Sequence, residues 1–85
     1  MAAGADVNAA NNNGATPVFV ASGRGNEGCV DRLVAAGADV NAADNDGWTP
    51  VFIASENGKE GCVDRLVAAG ADINAALNVL SLIHI

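Results

Sequence analysis

Gly47-Trp48-Thr49-Pro50-Val51-Phe52-Ile53-Ala54-Ser55 decides how this chain folds, because the chain contains a second stretch identical to it at seven of nine positions. Gly14-Ala15-Thr16-Pro17-Val18-Phe19-Val20-Ala21-Ser22 stands 33 residues earlier. The tripeptide Gly-Ala-Asp returns at the same interval, beginning at Gly4, Gly37 and Gly70, with no insertion or deletion. A fixed period of this length is the mark of a stacked repeat array. Between residues 11–43 and 44–76, 25 of the 33 aligned positions are identical, so both copies must satisfy one local structure.

Within each copy the residues predict two helices. Val18-Phe19-Val20 and Val51-Phe52-Ile53 are β-branched and aromatic, which favours strand. The Thr-Pro pair ahead of each opposes that: Thr16 and Thr49 can cap free N–H groups, and Pro17 and Pro50 suit a first turn that needs no donor. A short, mostly buried helix ending near Gly23-Arg24-Gly25 and Glu56-Asn57-Gly58 is therefore expected. Cys29, Val30, Leu33 and Val34 then share one face of a second helix, with Glu27, Asp31 and Arg32 around the remainder, and Cys62, Val63, Leu66 and Val67 repeat the pattern. Asn26 can cap the first of these helices and Lys59 cannot cap the second. Gly37 and Gly70 follow the last apolar residue, where a left-handed exit is expected. Gly28 and Gly61 should weaken their helices by up to about 1 kcal/mol relative to Ala. Asn11-Asn12-Asn13-Gly14 and Asp44-Asn45-Asp46-Gly47 read as type I turns. Neither helix pair can bury its faces alone, and stacking one on the next gives the period its physical reason.

Four segments follow. Residues 1–10 match the end of a unit whose beginning is missing, 11–43 and 44–76 are full units, and 77–85 break the pattern. In that tail Leu80, Leu82 and Ile83 stand where Gly, Thr and Pro belong. An improvised apolar cap is one reading, and degenerate or non-native sequence is the one preferred. A polar-faced cap would be usual for a solenoid.

Bulk composition narrows the function classes. A chain of 85 residues buries only about 60–65% of its unfolded surface, and about three repeats are usually needed for a stable array, so marginal stability is expected. Apolar residues make up 51% and aromatics only 4%, giving a core of Ala, Val, Leu and Ile. A net charge of −6 with four Lys plus Arg argues against nucleic acid, whose binding requires several neutralised phosphates. No apolar run reaches the roughly 18–20 residues of a membrane span, and no basic flank with an apolar stretch opens the chain as a secretory signal would. The chain reads as soluble and intracellular, with the cytoplasm the expected compartment and no membrane partner. Cys29 and Cys62 hold the same place in successive units. Helices stacked about 8–10 Å apart exceed the roughly 7 Å Cα reach of a disulfide, so both thiols are expected in helix cores as small hydrophobes.

Gly-x-Thr-Pro followed by Gly-Ala-Asp-Val-Asn at a 33-residue spacing resembles the ankyrin repeat, over residues 1–76. The resemblance implies an all-α repeat solenoid of stacked helix-turn-helix units joined by β-hairpin-like loops, without enzymatic activity, acting as a binding surface for another protein. Phe19 and Phe52 depart from the family's His after Thr-Pro, so apolar packing should replace a polar tie. Arg32 and Arg65 stand where an aliphatic residue is common, and each should lay its stem on the stack with its head in water.

Catalytic, cofactor and metal chemistry find no support in the residues. His84 is the only histidine and has no repeated partner, and one His with two Cys falls short of a four-ligand zinc site. No small-molecule substrate is implied. Asp6, Asp39 and Asp72 read as turn residues. The family's concave face of hairpin tips and first helices is the candidate surface, and the copies differ there: Asn12 and Asn13 align with Asn45 and Asp46, Ala15 with Trp48, Gly23 with Glu56, and Arg24 with Asn57. Asn12, Asn13, Ala15, Arg24, Asn45, Asp46, Trp48, Glu56 and Asn57 are thus the candidate contacts. Trp48 leads, as Trp is enriched among interface anchors, against the plainer reading that its ring folds back on the hairpin. The competing functional class is a structural spacer in a longer array.

Overall fold

The computed structural model describes residues 6–73. Residues 1–5 and 74–85, with the expectations placed on His84 and on the tail 77–85, lie outside the described residues. Four helices follow in order: α1 Pro17–Arg24, α2 Glu27–Ala35, α3 Pro50–Glu56 and α4 Glu60–Ala68. The Thr-Pro signal sets the start of the first helix in each pair, since the hydroxyl of Thr16 accepts from the Phe19 N–H at 3.4 Å and that of Thr49 from the Phe52 N–H at 3.3 Å. Asn26 caps α2 by accepting from the Cys29 N–H at 3.3 Å, whereas Lys59 gives α4 no side-chain cap. Both longer helices leave through a glycine in the left-handed region, Gly37 at φ 93° and Gly70 at φ 96°, where a Cβ would be strained.

The arms between the layers are turns, with no strand among the described residues. Asn11 organises one turn, its Oδ1 accepting from the N–H groups of Asn13 and Ala15 at 2.9 and 3.0 Å. Asp44 does the same for Asp46 and Trp48, both at 2.9 Å. Two backbone bonds close each turn: the N–H of Asn11 or Asp44 donates to the carbonyl of Ala15 or Trp48, and the N–H of Gly14 or Gly47 donates back to the carbonyl of Asn11 or Asp44. The expected hairpins are thus present as tight turns without a ladder.

Helix α1 packs on α2 and α3 on α4 to form two layers, and the layers meet through α1 with α3 and α2 with α4. Val18, Val30, Val51, Ala54, Cys62 and Leu66 form the most deeply buried part of the core. Each large member contributes about 1.5–3 kcal/mol by leaving water. Phe52 is buried and Phe19 half-buried, so the second ring does more of the packing expected of both.

The two cysteines correct the sequence reading. Cys62 is fully buried, but Cys29 is exposed. The flank of α4 that carries Cys62 lies against the first layer, while the matching flank of α2 faces no described layer. Position in the repeat sets which flank a side chain occupies; the neighbour decides whether that flank is buried.

Polar bonds also lock the layers in register. The Oδ1 of Asn8 accepts from the Asp39 N–H at 2.7 Å, and that of Asn41 from the Asp72 N–H at 2.6 Å, so each arm is tied to the next. Asp6 and Asp39 fill the turn role expected of them, accepting from the N–H groups of Asn8 and Asn41 at 2.9 and 3.0 Å. Arg65 reaches across to the first layer, with Nη1 2.7 Å from Glu27 and Nε 2.9 Å from Asp31. Its head is therefore engaged in ion pairing, while Arg32 is exposed as expected.

Gly61 belongs to the same cross-layer contact. A Cβ on Gly61 would run into the Glu27 carboxylate, and the Gly61 carbonyl accepts from Arg65 Nη1 at 3.1 Å. The glycine that weakens α4 makes room for the ion pair. Gly28, its counterpart, has open space around it apart from the Asn26 side chain 4.0 Å away.

Candidate protein-binding surface

Trp48 immediately precedes the cap Thr49, a position from which an apolar side chain can fold onto the first turn of the following helix. Its ring stacks on Phe52 with centroids 4.4 Å apart and planes 12° off parallel. Such a pair contributes about 0.5–1.5 kcal/mol beyond its buried area. The Trp48 N–H is held by Asp44, so backbone and ring are both fixed. The side chain is half-buried, and it covers helix rather than hairpin. Neither outcome weighed from the sequence matches this arrangement in full.

Trp48, Phe52, Ile53 and Glu56 line a shallow groove of about 310 Å³ along α3. Of the nine candidates, Trp48 and Glu56 are brought together here. An apolar floor with a carboxylate at its edge can receive an aliphatic or aromatic side chain beside a cationic group. Asp44 and Asp46 in the adjoining turn extend the acidic character.

The remaining candidates fall into two groups. Asn12, Asn13 and Asn45 are bonded to one another across the layers: the Asn45 N–H donates to the Asn13 carbonyl at 2.9 Å and its amide to the Asn12 carbonyl at 3.1 Å. Asn57 donates to the Gly23 carbonyl at 2.9 Å. These polar groups hold register. Arg24 and Asp46 are exposed, whereas Ala15 is buried. Arg24 and Ala15 lie together on the open side of the first layer, on a separate cleft.

Phe52 and Ile53 are the groove residues that sequence reasoning did not single out as contacts. The four-residue spacing from Trp48 to Phe52 was the available signal, since side chains so spaced meet at a helix start. Among the described residues no group of His, Cys, Asp and Glu is placed to hold a metal ion, and no helix is long and apolar enough to cross a membrane.

Helix pairs of one design, stacked in one direction and tied by repeated polar bonds, define a repeat solenoid whose open face is available for contact. The chain belongs to the ankyrin-repeat family: the family model described as ankyrin repeats, three copies, matches residues 1–76. A search of the curated proteins finds no match. Ankyrin repeats generally mediate protein–protein interaction and are generally non-enzymatic.

Proposed function

We propose that this chain is a non-catalytic module that binds another protein through the face formed by its turn tips and first helices, with units at 11–43 and 44–76. The observation that carries this reading is the fixed, half-exposed Trp48 ring stacked on Phe52 at the edge of an open groove. A pre-positioned aromatic loses little entropy on binding. The acidic residues beside it favour a partner segment that combines an apolar side chain with Lys or Arg.

A structural spacer is the second reading. It is favoured by Asn45 and Asn57, two candidate contacts whose amides are committed to bonds between layers. Affinity capture on matched columns of the wild type and Trp48→Ala separates the two. The binding reading expects at least one retained protein to be lost on substitution, with an affinity drop on the order of thirtyfold, as an anchor Trp gives. Identical retention profiles, with both proteins showing the same helical circular dichroism, would leave the spacer reading standing.

A further inference from the structure

The two layers carry the same charged residues, but those residues are used differently at the layer interface. Arg65 of the second layer pairs with Glu27 and Asp31 of the first. One period away, Arg32 lies exposed on the open side of the first layer, and Glu60 and Asp64 lie exposed on the far side of the second. No ion pair links these three to any described residue. Among the described residues, one half of the inter-layer clasp therefore stands unused on each outer side of the two layers.

The apolar surfaces follow the same division. A cleft of about 430 Å³ opens on the first layer, lined by Pro17, Val20, Ala21, Cys29 and Leu33 among others. Pro50 and Cys62, the counterparts of Pro17 and Cys29, are buried in the second layer, Ala54 and Leu66 are covered more completely than Ala21 and Leu33, and Ile53 stays half-buried like Val20. At the other end Val67 is 44% exposed and Val63 half-buried, whereas their counterparts Val34 and Val30 are half-buried and fully buried. Each end thus offers the surface that its copy occupies inside the molecule.

We infer that a second copy of this chain docks head to tail, its Glu60 and Asp64 clasping Arg32 as Glu27 and Asp31 clasp Arg65, with its far face over the open cleft of the first layer. The interface is heterologous, so association is open-ended rather than limited to a dimer. This surface lies at the ends of the stack and is independent of the Trp48 groove.

Sedimentation velocity of the 85-residue chain over a concentration series from about 10 μM to about 1 mM tests it, the range in which weak contacts register. The expected result is a sedimentation coefficient that rises with concentration. Arg32→Glu alone, and Glu60→Arg with Asp64→Arg in one chain, should each abolish the rise. An equal mixture of the two variants should restore it, because the reversed charges complement. Circular dichroism confirms that each variant is folded, and Arg32→Ala serves as a milder substitute for Arg32→Glu. A wild type that stays monomeric throughout, an Arg32 variant that associates like the wild type, or a mixture that fails to recover would each overturn the proposal.

Discussion

The first and second layers share most of their sequence yet distribute burial in opposite ways. Leu66 is fully buried and Leu33 retains 7% exposure; Cys62 is buried and Cys29 exposed. On the other flank the order reverses, with Val30 fully buried and Val63 only half-buried. A repeat therefore has two working flanks, and which one counts toward stability depends on the side from which a neighbour arrives. Stability in such a stack belongs to the interface between units as much as to the unit.

The largest test of this comparison is deletion of core side chains in pairs. Leu66→Ala should cost about 2–5 kcal/mol, while Leu33→Ala should fall at or below the low end of that range because its site already borders an open cleft. The valine pair should rank the other way, with Val30→Ala more costly than Val63→Ala. Urea unfolding followed by circular dichroism measures all four. Equal costs within either pair would mean that burial against the neighbouring layer adds little.

The thiols give a smaller effect with a sharper readout. Cys29 should react with a thiol reagent in the native state, while Cys62 should react on the order of tenfold or more slowly, because its labelling waits on opening of the layer interface. Matching rates for the two would show that the layers separate freely. Burial pushes the Cys62 thiol above its ordinary range, and the nearby Glu27 charge acts in the same direction. The neutral thiol is thus favoured in the folded state, while an unfolded thiol ionises near about pH 8.5. This contribution is complete below that pH and declines as pH rises toward the folded value. Cys62→Ala should remove that part of the alkaline loss of stability, measured as the change in unfolding midpoint with pH.

What the sequence showed and what it hid divide along the same line. Thr16, Thr49, Asn26, Gly37 and Gly70 were legible because caps and helix exits depend on chemistry within a few residues. The difference between Cys29 and Cys62 was not legible, since both sit in Glu-Gly-Cys-Val-Asp-Arg-Leu-Val-Ala and the deciding neighbour is a whole unit away. The Asn8 and Asn41 ties were hidden for a related reason. Each bonds a residue 31 positions on, an offset that emerges only once the layers are set in register. Half of the candidate groove was visible, in that Trp48 stood out as a large change in a repeated frame. Its stacking on Phe52 is implicit in the four-residue spacing, which overlaps the stronger helix-start signal of Thr49 and Pro50.

The finest distinction between the layers lies in two glycines with identical flanking text. Gly28→Ala adds a methyl into open space and should stabilise by up to about 1 kcal/mol through helix propensity. Gly61→Ala gains the same propensity but must displace the Glu27 carboxylate, which sits where the new Cβ would go. That movement weakens the pair between Glu27 and Arg65, whose side chains are 48% and 38% exposed, and solvent screening keeps such a pair as weak as the propensity gain it opposes. The two terms nearly cancel, so Gly61→Ala should leave the urea midpoint close to that of the wild type. In a Glu27→Ala background the obstruction is gone and Gly61→Ala should recover the gain seen at Gly28. If Gly61→Ala stabilises as much as Gly28→Ala with Glu27 in place, the carboxylate swings aside without cost and the ion pair contributes nothing to holding the layers together. A cancellation that disappears only with Glu27 would instead locate the asymmetry between two nearly identical helices in a single carboxylate from the neighbouring layer.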